Sequence, residues 1–285
     1  MRIFNLLMVA LLVGGCSNGA QSVEVEETSG DELIAEETEA AEEEKSTPSI
    51  DEILACDHRT DAERARDQYR HPKETLAFFG VESGKDVVEL APGGGWYTRV
   101  LAPLFRHEGS LTVGLPDGRY GDAFRALADE NAEFYGSVRQ ARLAPQEGAP
   151  IGESESADVV LTFRSLHGWI NAGIIEEMFK ASFDVLRPGG VFGVVQHREA
   201  EGRELDARRG YVPEAYVIEL AEKVGFELEE RSEINANPRD TKDHSAGVFS
   251  LLPAQRGDES DEEKARLAEL GESDRMTLKF RKPAN

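Results

Sequence analysis

The chain has 285 residues, a formal net charge of −23 and a charged fraction of 31%, with only two cysteines. Such acidity repels polyanions and argues against DNA, RNA or bare anionic membrane as partners. Two cysteines make no disulfide framework, and the length fills one or two domains.

Arg2 precedes an apolar run over residues 3–13 that is too short to span a bilayer, and Gly14 and Gly15 lead into Cys16. The order Val13-Gly14-Gly15-Cys16 resembles a bacterial lipoprotein signal with its lipobox. The resemblance implies cleavage before Cys16, lipid on that residue and attachment to the cell envelope, with Ser17 compatible with the periplasmic side of the outer membrane. Several acyl chains, at about 0.8 kcal/mol per buried methylene, make a stable anchor. An ordinary cleaved signal with a coincidental cysteine is the alternative. Cys56 is then expected to be a lone structural thiol. Between residues 21 and 50 eleven acids face one base, Lys45, with no aromatic residue. That composition cannot bury enough apolar surface to fold. The expected organisation is a signal peptide over 1–15, an acidic, self-repelling tether over 16–48 and one domain over 49–285.

Thr60-Asp61-Ala62-Glu63 reads as a capping box opening a helix over 60–69. Pro72 fits the first turn of another helix, closed by Gly80. Strands and helices then alternate: a strand over 86–90, a helix over 96–105, a strand over 111–115, a helix over 122–131 and a weak strand over 134–142. A strong strand, ADVVLTF (157–163), follows. A helix over 174–186 is stopped by Arg187-Pro188-Gly189-Gly190, and a strand over 191–196 and a helix over 213–224 with Gly225 at its end come next. Strands over 226–234 and 275–281 flank a capped helix over 260–270. The alternation predicts an α/β fold, a doubly wound, mostly parallel seven-stranded sheet with helices on both faces.

The first strand runs into VVELAPGGGWYT (87–98). A ligand bound where a parallel strand turns into a helix meets main-chain N–H groups, and side chains at Gly93, Gly94 or Gly95 would fill its space. The pattern differs from the G-x-G-x-x-G of dinucleotide folds, because bulky Trp96 stands where a third glycine lets helix and strand pack. An acid inside the motif, Glu89, suits a ligand with a positive group better than a pyrophosphate. The stretch resembles motif I of class I S-adenosylmethionine-dependent methyltransferases, and the ordered set ADVVLTF, VLRPGGVFGVV (185–195) and RMTLKFRKP (275–283) supports the resemblance. More narrowly, TFRSLHGW (162–169), HRE (197–199) and NPRDTKDH (237–244) are similar to a bacterial group of predicted methyltransferases, several of which carry export signals. The resemblance covers residues 57–283 and implies a Rossmann-like fold with S-adenosyl-L-methionine as cofactor. Glu89 would hold the amino group of its methionine part, and Ala91, Gly93 and Gly95 would let the backbone pass close by. Leu115 stands where an acid usually holds the ribose, which leaves Asp117 as the candidate for that contact.

In this architecture the ends of the fourth and fifth strands face the transferable methyl. That nominates Arg164, His167 and Trp169, then His197 and Arg198. A histidine titrating near neutrality can take the acceptor's proton; a strand-end histidine is also often only a hydrogen-bonding structural residue. Trp169 suits packing better than substrate contact. Residues 237–244 read as turn chemistry by default, with an acceptor loop as the alternative. His58, His71 and His107 lack metal-ligand spacing, so no metal is expected. The expected function is a lipid-anchored methyltransferase acting on a small-molecule acceptor, with no nucleic-acid partner. One rival is a non-catalytic metabolite binder on the same fold, motivated by the envelope location, since S-adenosylmethionine is made in the cytoplasm. The other is a dinucleotide-dependent oxidoreductase, disfavoured by Trp96.

Overall fold

The structure is a computed structural model that describes residues 47–284. The signal, Cys16 and most of the acidic stretch lie outside the described residues. Ser49 caps α1 (Ile50–Ala55) and Thr60 caps α2 (Asp61–Arg64). In both, the hydroxyl accepts from the amide three residues on and the glutamate there bonds back to the cap. Cys56 follows α1 directly, and its amide donates to Ile53 O. The expected helix over 60–69 is divided. Ala65 and Arg66 separate α2 from α3 (Asp67–Arg70), and His71, at φ 39°, turns the chain into α4 (Pro72–Phe78). Tertiary pairing accompanies the break: Arg59 grips Asp67 with two bonds of 2.8 and 2.5 Å, and Arg66 reaches Glu272 at 2.6 Å.

The chain continues through β1 (Asp86–Leu90), α5 (Thr98–Leu104), β2 (Ser110–Leu115), α6 (Arg119–Glu130), α7 (Ala132–Tyr135) and β3 (Arg139–Arg142). It then forms β4 (Ala157–Phe163), α8 (Leu166–Ala172), α9 (Ile175–Val185), β5 (Leu186–His197), α10 (Glu214–Val224), β6 (Glu227–Ser232), α11 (Asp261–Leu270) and β7 (Arg275–Arg281). The seven strands lie in the order β3-β2-β1-β4-β5-β7-β6. All neighbours pair in parallel except β7, which runs antiparallel to both β5 and β6. This is the doubly wound sheet the alternation predicted. The strand order reverses between β1 and β4, and the carboxyl ends of such a reversal are where open α/β sheets bind their ligands.

Alternate residues serve opposite faces. Val87, Val113, Val159, Leu161 and Val195 pack with α1, α4, α5 and α6. Val88, Leu90, Val160, Phe192 and Val194 pack with α8, α9 and α10 and with Met276, Leu278 and Phe280 of β7.

Three local expectations change. The first part of the weak strand over 134–142 is α7, because Phe134 and Tyr135 turn inward, and the Tyr135 ring meets Phe124 of α6 edge-on at 5.8 Å. Arg187-Pro188-Gly189-Gly190 does not stand outside the strand. β5 begins at Leu186, and the four residues form a bulge between the Ala157–Leu186 and Val159–Val191 pairs, pinned by Gly189 N–H donating to Lys282 O. A helix absent from the sequence expectation, α8, starts three residues after β4 and carries His167 in its first turn.

Candidate functional site

Glu89 shares its strand face with Val87 and therefore lies beneath α5. It is 2% exposed, and its Oε2 accepts from Thr98 Oγ1 at 2.6 Å. Oε1 meets no protein donor among the described residues. Burial pushes the carboxyl up to about 7, with the Thr98 hydroxyl acting against the rise. Beyond β1 the backbone turns left-handed at Ala91, Gly93 and Gly95, with φ 51°, 58° and 74°. Ala91 bears this conformation without glycine's freedom, at a cost on the order of 1–2 kcal/mol. A Cβ on Gly93 or Gly94 would meet nothing within 4 Å, whereas one on Gly95 would sit 3.1 Å from the Phe124 ring. The turn therefore has open space in front of Gly93 and Gly94, while Gly95 is also required by packing.

The N-terminal helices hold this turn. Arg99 donates to Gly94 O at 2.7 Å and pairs with Glu63 at 3.1 Å, and His58 Nε2 lies 2.9 Å from Arg99 O. The Trp96 N–H donates to Glu63 O, and its ring faces the Arg70 and Arg59 guanidiniums at 4.6 and 5.2 Å. Tyr97 stacks on Phe163 of β4 at 3.5 Å, which joins the ends of the two strands at the reversal point. Asp117 lies on the exposed loop after β2, and both its oxygens accept from Arg142, which also bonds Glu147.

Arg164 follows β4 at φ 59°, a left-handed non-glycine residue at the neighbouring strand end. Its amide donates to Val195 O at 2.7 Å. His167 and His197 are brought together with ring centres 5.8 Å apart, and Phe249 lies 6.0 Å from His167. His197 Nδ1 is 2.5 Å from Ser273 Oγ. His167 Nδ1 is 3.4 Å from Gln196 Nε2, a long contact, and its Nε2 has no protein partner among the described residues. Burial, then the charge on Arg164, lowers His167 to about 4. Burial and the charges on Arg164 and Arg275 hold His197 well below its ordinary value. Both imidazoles are neutral at neutral pH, and in the empty site neither titrates near neutrality as the sequence reading expected, because burial and the neighbouring arginines oppose their protonation.

The other residues nominated from the sequence have structural partners. Arg198 bonds Glu233 and Asp274, and Trp169 is buried among α8 and its neighbours. Asp240 accepts from Tyr211 Oη, from the amides of Lys242 and Asp274, and pairs with His244 Nε2. Asn237 donates to the carbonyls of Leu270 and Glu272. Residues 237–244 therefore pin the turn that enters β7.

Sequence pattern does not single out four further residues: Arg66, Arg70, Glu272 and Arg275. Glu272 is 3% exposed and pairs with Arg66 at 2.6 Å, with Arg70 at 3.1 Å and with Arg275 at 3.1 Å. Burial alone would raise its carboxyl, but Arg70, Arg275, Arg164 and Arg66 bring it down to about 2. The available signal is local. Arg59, Arg64, Arg66 and Arg70 crowd one short stretch of an otherwise acidic chain.

No family model matches the chain. Its fold is similar to that of the [4+2]-cyclase SpnF, with a TM-score of 0.54 at 15% identity, covering 76% of this chain and 81% of that one. It is also similar to a protein of Bacillus halodurans C-125 assigned as a methyltransferase (TM-score 0.51, 16% identity, 75% and 99% covered). A third likeness is to a protein of Galdieria sulphuraria assigned as a sarcosine dimethylglycine methyltransferase (TM-score 0.51, 16% identity, 78% and 87% covered). These likenesses show the fold, a Rossmann-like, mostly parallel seven-stranded sheet with helices on both faces.

Proposed function

We propose that the chain is an S-adenosylmethionine-dependent methyltransferase acting on a small-molecule acceptor. The fold does not choose the reaction, since one of the similar structures is a cyclase. One observation about the site carries the reading. A buried carboxylate stands beside an open glycine turn at the end of β1, the Tyr97–Phe163 stack ties that end to β4, and a pair of neutral histidines lies at the start of α8 and the end of β5.

The residues fit the cofactor. Glu89 has an oxygen without a protein donor among the described residues and a carboxyl poised near neutrality, and an ammonium group would favour its ionised form. Gly93 and Gly94 leave room where side chains would stand. The chemistry such a cofactor brings is an electrophilic methyl group bonded to a sulfonium sulfur. This chain's own residues do the rest. Glu89 binds the amino group, and the turn at Ala91–Gly95 offers its backbone. The stacked Tyr97 and Phe163 rings hold the two strand ends together. His167, neutral and with Nε2 unpartnered among the described residues, accepts the acceptor's proton at that nitrogen, and His197, fixed by Ser273, backs it.

The test uses isotope-labelled S-adenosylmethionine and cell-extract metabolites. His167→Ala is expected to keep cofactor affinity within about threefold, under 1 kcal/mol, while turnover falls about a hundredfold, the usual scale for a lost general base. Loss of folding or of cofactor binding in that variant would make His167 structural. If the wild-type chain binds NAD(H) instead of S-adenosylmethionine, the methyltransferase reading falls.

The same reading includes a lipid anchor on Cys16, motivated by Arg2, the apolar run and Gly14-Gly15-Cys16. One sulfur carries either a thioether or a disulfide, so intact mass tests the anchor directly. Loss of residues 1–15 with added acyl mass supports it; a mature chain with Cys16 in a disulfide overturns it.

A further inference from the structure

The region past the ends of β4 and β5 holds an imbalance of charge that methyl transfer by itself does not require. Three guanidiniums, those of Arg66, Arg70 and Arg275, pair with a single carboxylate, Glu272, and a fourth, Arg164, just past the end of β4, is near enough for its charge to act on that carboxyl. The Arg164 guanidinium makes no hydrogen bond or ion pair among the described residues. Nη2 of Arg66 and Nη2 of Arg70 are buried without a partner among the described residues. Four cations against one anion leave three formal positive charges in a largely buried cluster, inside a chain whose net charge is −23. Uncompensated buried charge costs several kcal/mol per ion, so an arrangement of this kind is retained where something else offsets it.

The position of the cluster says what that is. Arg164 directly follows β4, and Arg275 pairs in register with His197 at the end of β5. A cavity of about 250 Å³ opens beside the cluster, lined by His71, Asn235, Asn237, Arg239, Glu272 and Arg275. Two of its lining groups, His71 Nδ1 and Asn235 Oδ1, are buried and unpartnered among the described residues. The cationic cluster thus meets the histidine pair on one side and an open cavity on the other.

We propose that the methyl acceptor carries an anionic group, a carboxylate or a phosphate, held by Arg164 at the edge of the Arg66–Arg70–Arg275–Glu272 cluster while its nucleophile faces His167. The proposal rests on the methyltransferase reading for the word acceptor, but the anion site stands on its own geometry. The bound anion supplies the missing counter-charge, and planar guanidiniums suit either oxyanion.

The full chain, saturated with S-adenosylhomocysteine, is titrated calorimetrically at constant ionic strength, with inorganic phosphate in one arm and malonate in the other. Saturable binding of at least one is expected, and the arm that binds tighter names the group. Arg164→Gln should weaken that binding at least tenfold, Arg164→Lys should restore part of it, and both should bind S-adenosylmethionine as wild type does. Arg281→Gln, at the opposite edge of the sheet, should change nothing. Three results would overturn the proposal: no saturable binding of either anion, binding unchanged in Arg164→Gln, or binding abolished by S-adenosylhomocysteine, which would assign the cluster to the cofactor's own carboxylate. If Arg164→Gln does not fold, the Arg164→Lys and Arg281→Gln pair decides, since the anion site requires a loss in the first and none in the second. Anion binding without cofactor binding would sink the methyltransferase reading and leave the site.

Discussion

Glu89 and Glu272 are both buried glutamates near the carboxyl edge of one sheet, 2% and 3% exposed, yet their carboxyls move in opposite directions, to about 7 and to about 2. Glu89 has one hydroxyl for company, and desolvation decides. Glu272 has three guanidiniums bonded to it, and charge overrides the same desolvation. Burial by itself does not set a site's chemistry; the partners do. One carboxylate waits for a cation, and the other holds cations in place.

The largest effect that separates the two is structural. Glu272→Gln leaves four guanidiniums without their anion and is expected to cost about 3–5 kcal/mol in denaturant unfolding. The folded carboxyl lies below its ordinary 4.5, so the stability it contributes is complete above about pH 4.5 and is lost as pH falls through about 2. Acid titrations of wild type and variant should converge in that window. If the variant unfolds like wild type at pH 7, the cluster is held by something other than Glu272.

Glu89 runs the other way. Between about pH 4.5 and 7 its native state keeps a proton that the unfolded chain has released, so stability declines as pH rises through that range. Glu89→Gln should remove the decline and stabilise the empty protein at pH 8 by roughly 1–3 kcal/mol. The same variant should lose S-adenosylmethionine affinity. Wild-type affinity should rise between about pH 6 and 8, as Glu89 ionises, while the variant's stays flat. A pH-independent wild type would separate Glu89 from the ligand's amino group.

The smallest effect is steric and confined to the turn. Gly93→Val puts a branched side chain at φ 58°, in the open space before the turn. At least about a tenfold loss of cofactor affinity is expected, roughly 1.4 kcal/mol, by calorimetric titration. A folded Gly93→Val chain that binds like wild type would mean that no ligand backbone contact exists there.

Val87 to Thr98 are legible as a site because strand, acid, turn and helix are consecutive. Glu89 and its donor Thr98 are only nine residues apart. Apolar runs bounded by turn residues likewise predict β1 and β4 with the bounds they adopt in the fold. Where local pattern competes with packing, packing wins. Phe134 and Tyr135 fold as α7, where Tyr135 meets Phe124 of α6 and Phe134 meets His58, and His167 rides on a helix that its short, glycine-interrupted sequence does not announce. The alternating α/β order and the glycine turn follow from the amino-acid order alone, since both depend on neighbours along the chain. The arginine cluster does not. Arg70 and Glu272 stand 202 residues apart, and only the antiparallel return of β7 beside β5 brings Glu272 and Arg275 to the strand ends where Arg164, His167 and His197 already stand. Charge acts through space, so no spacing in the chain could announce it.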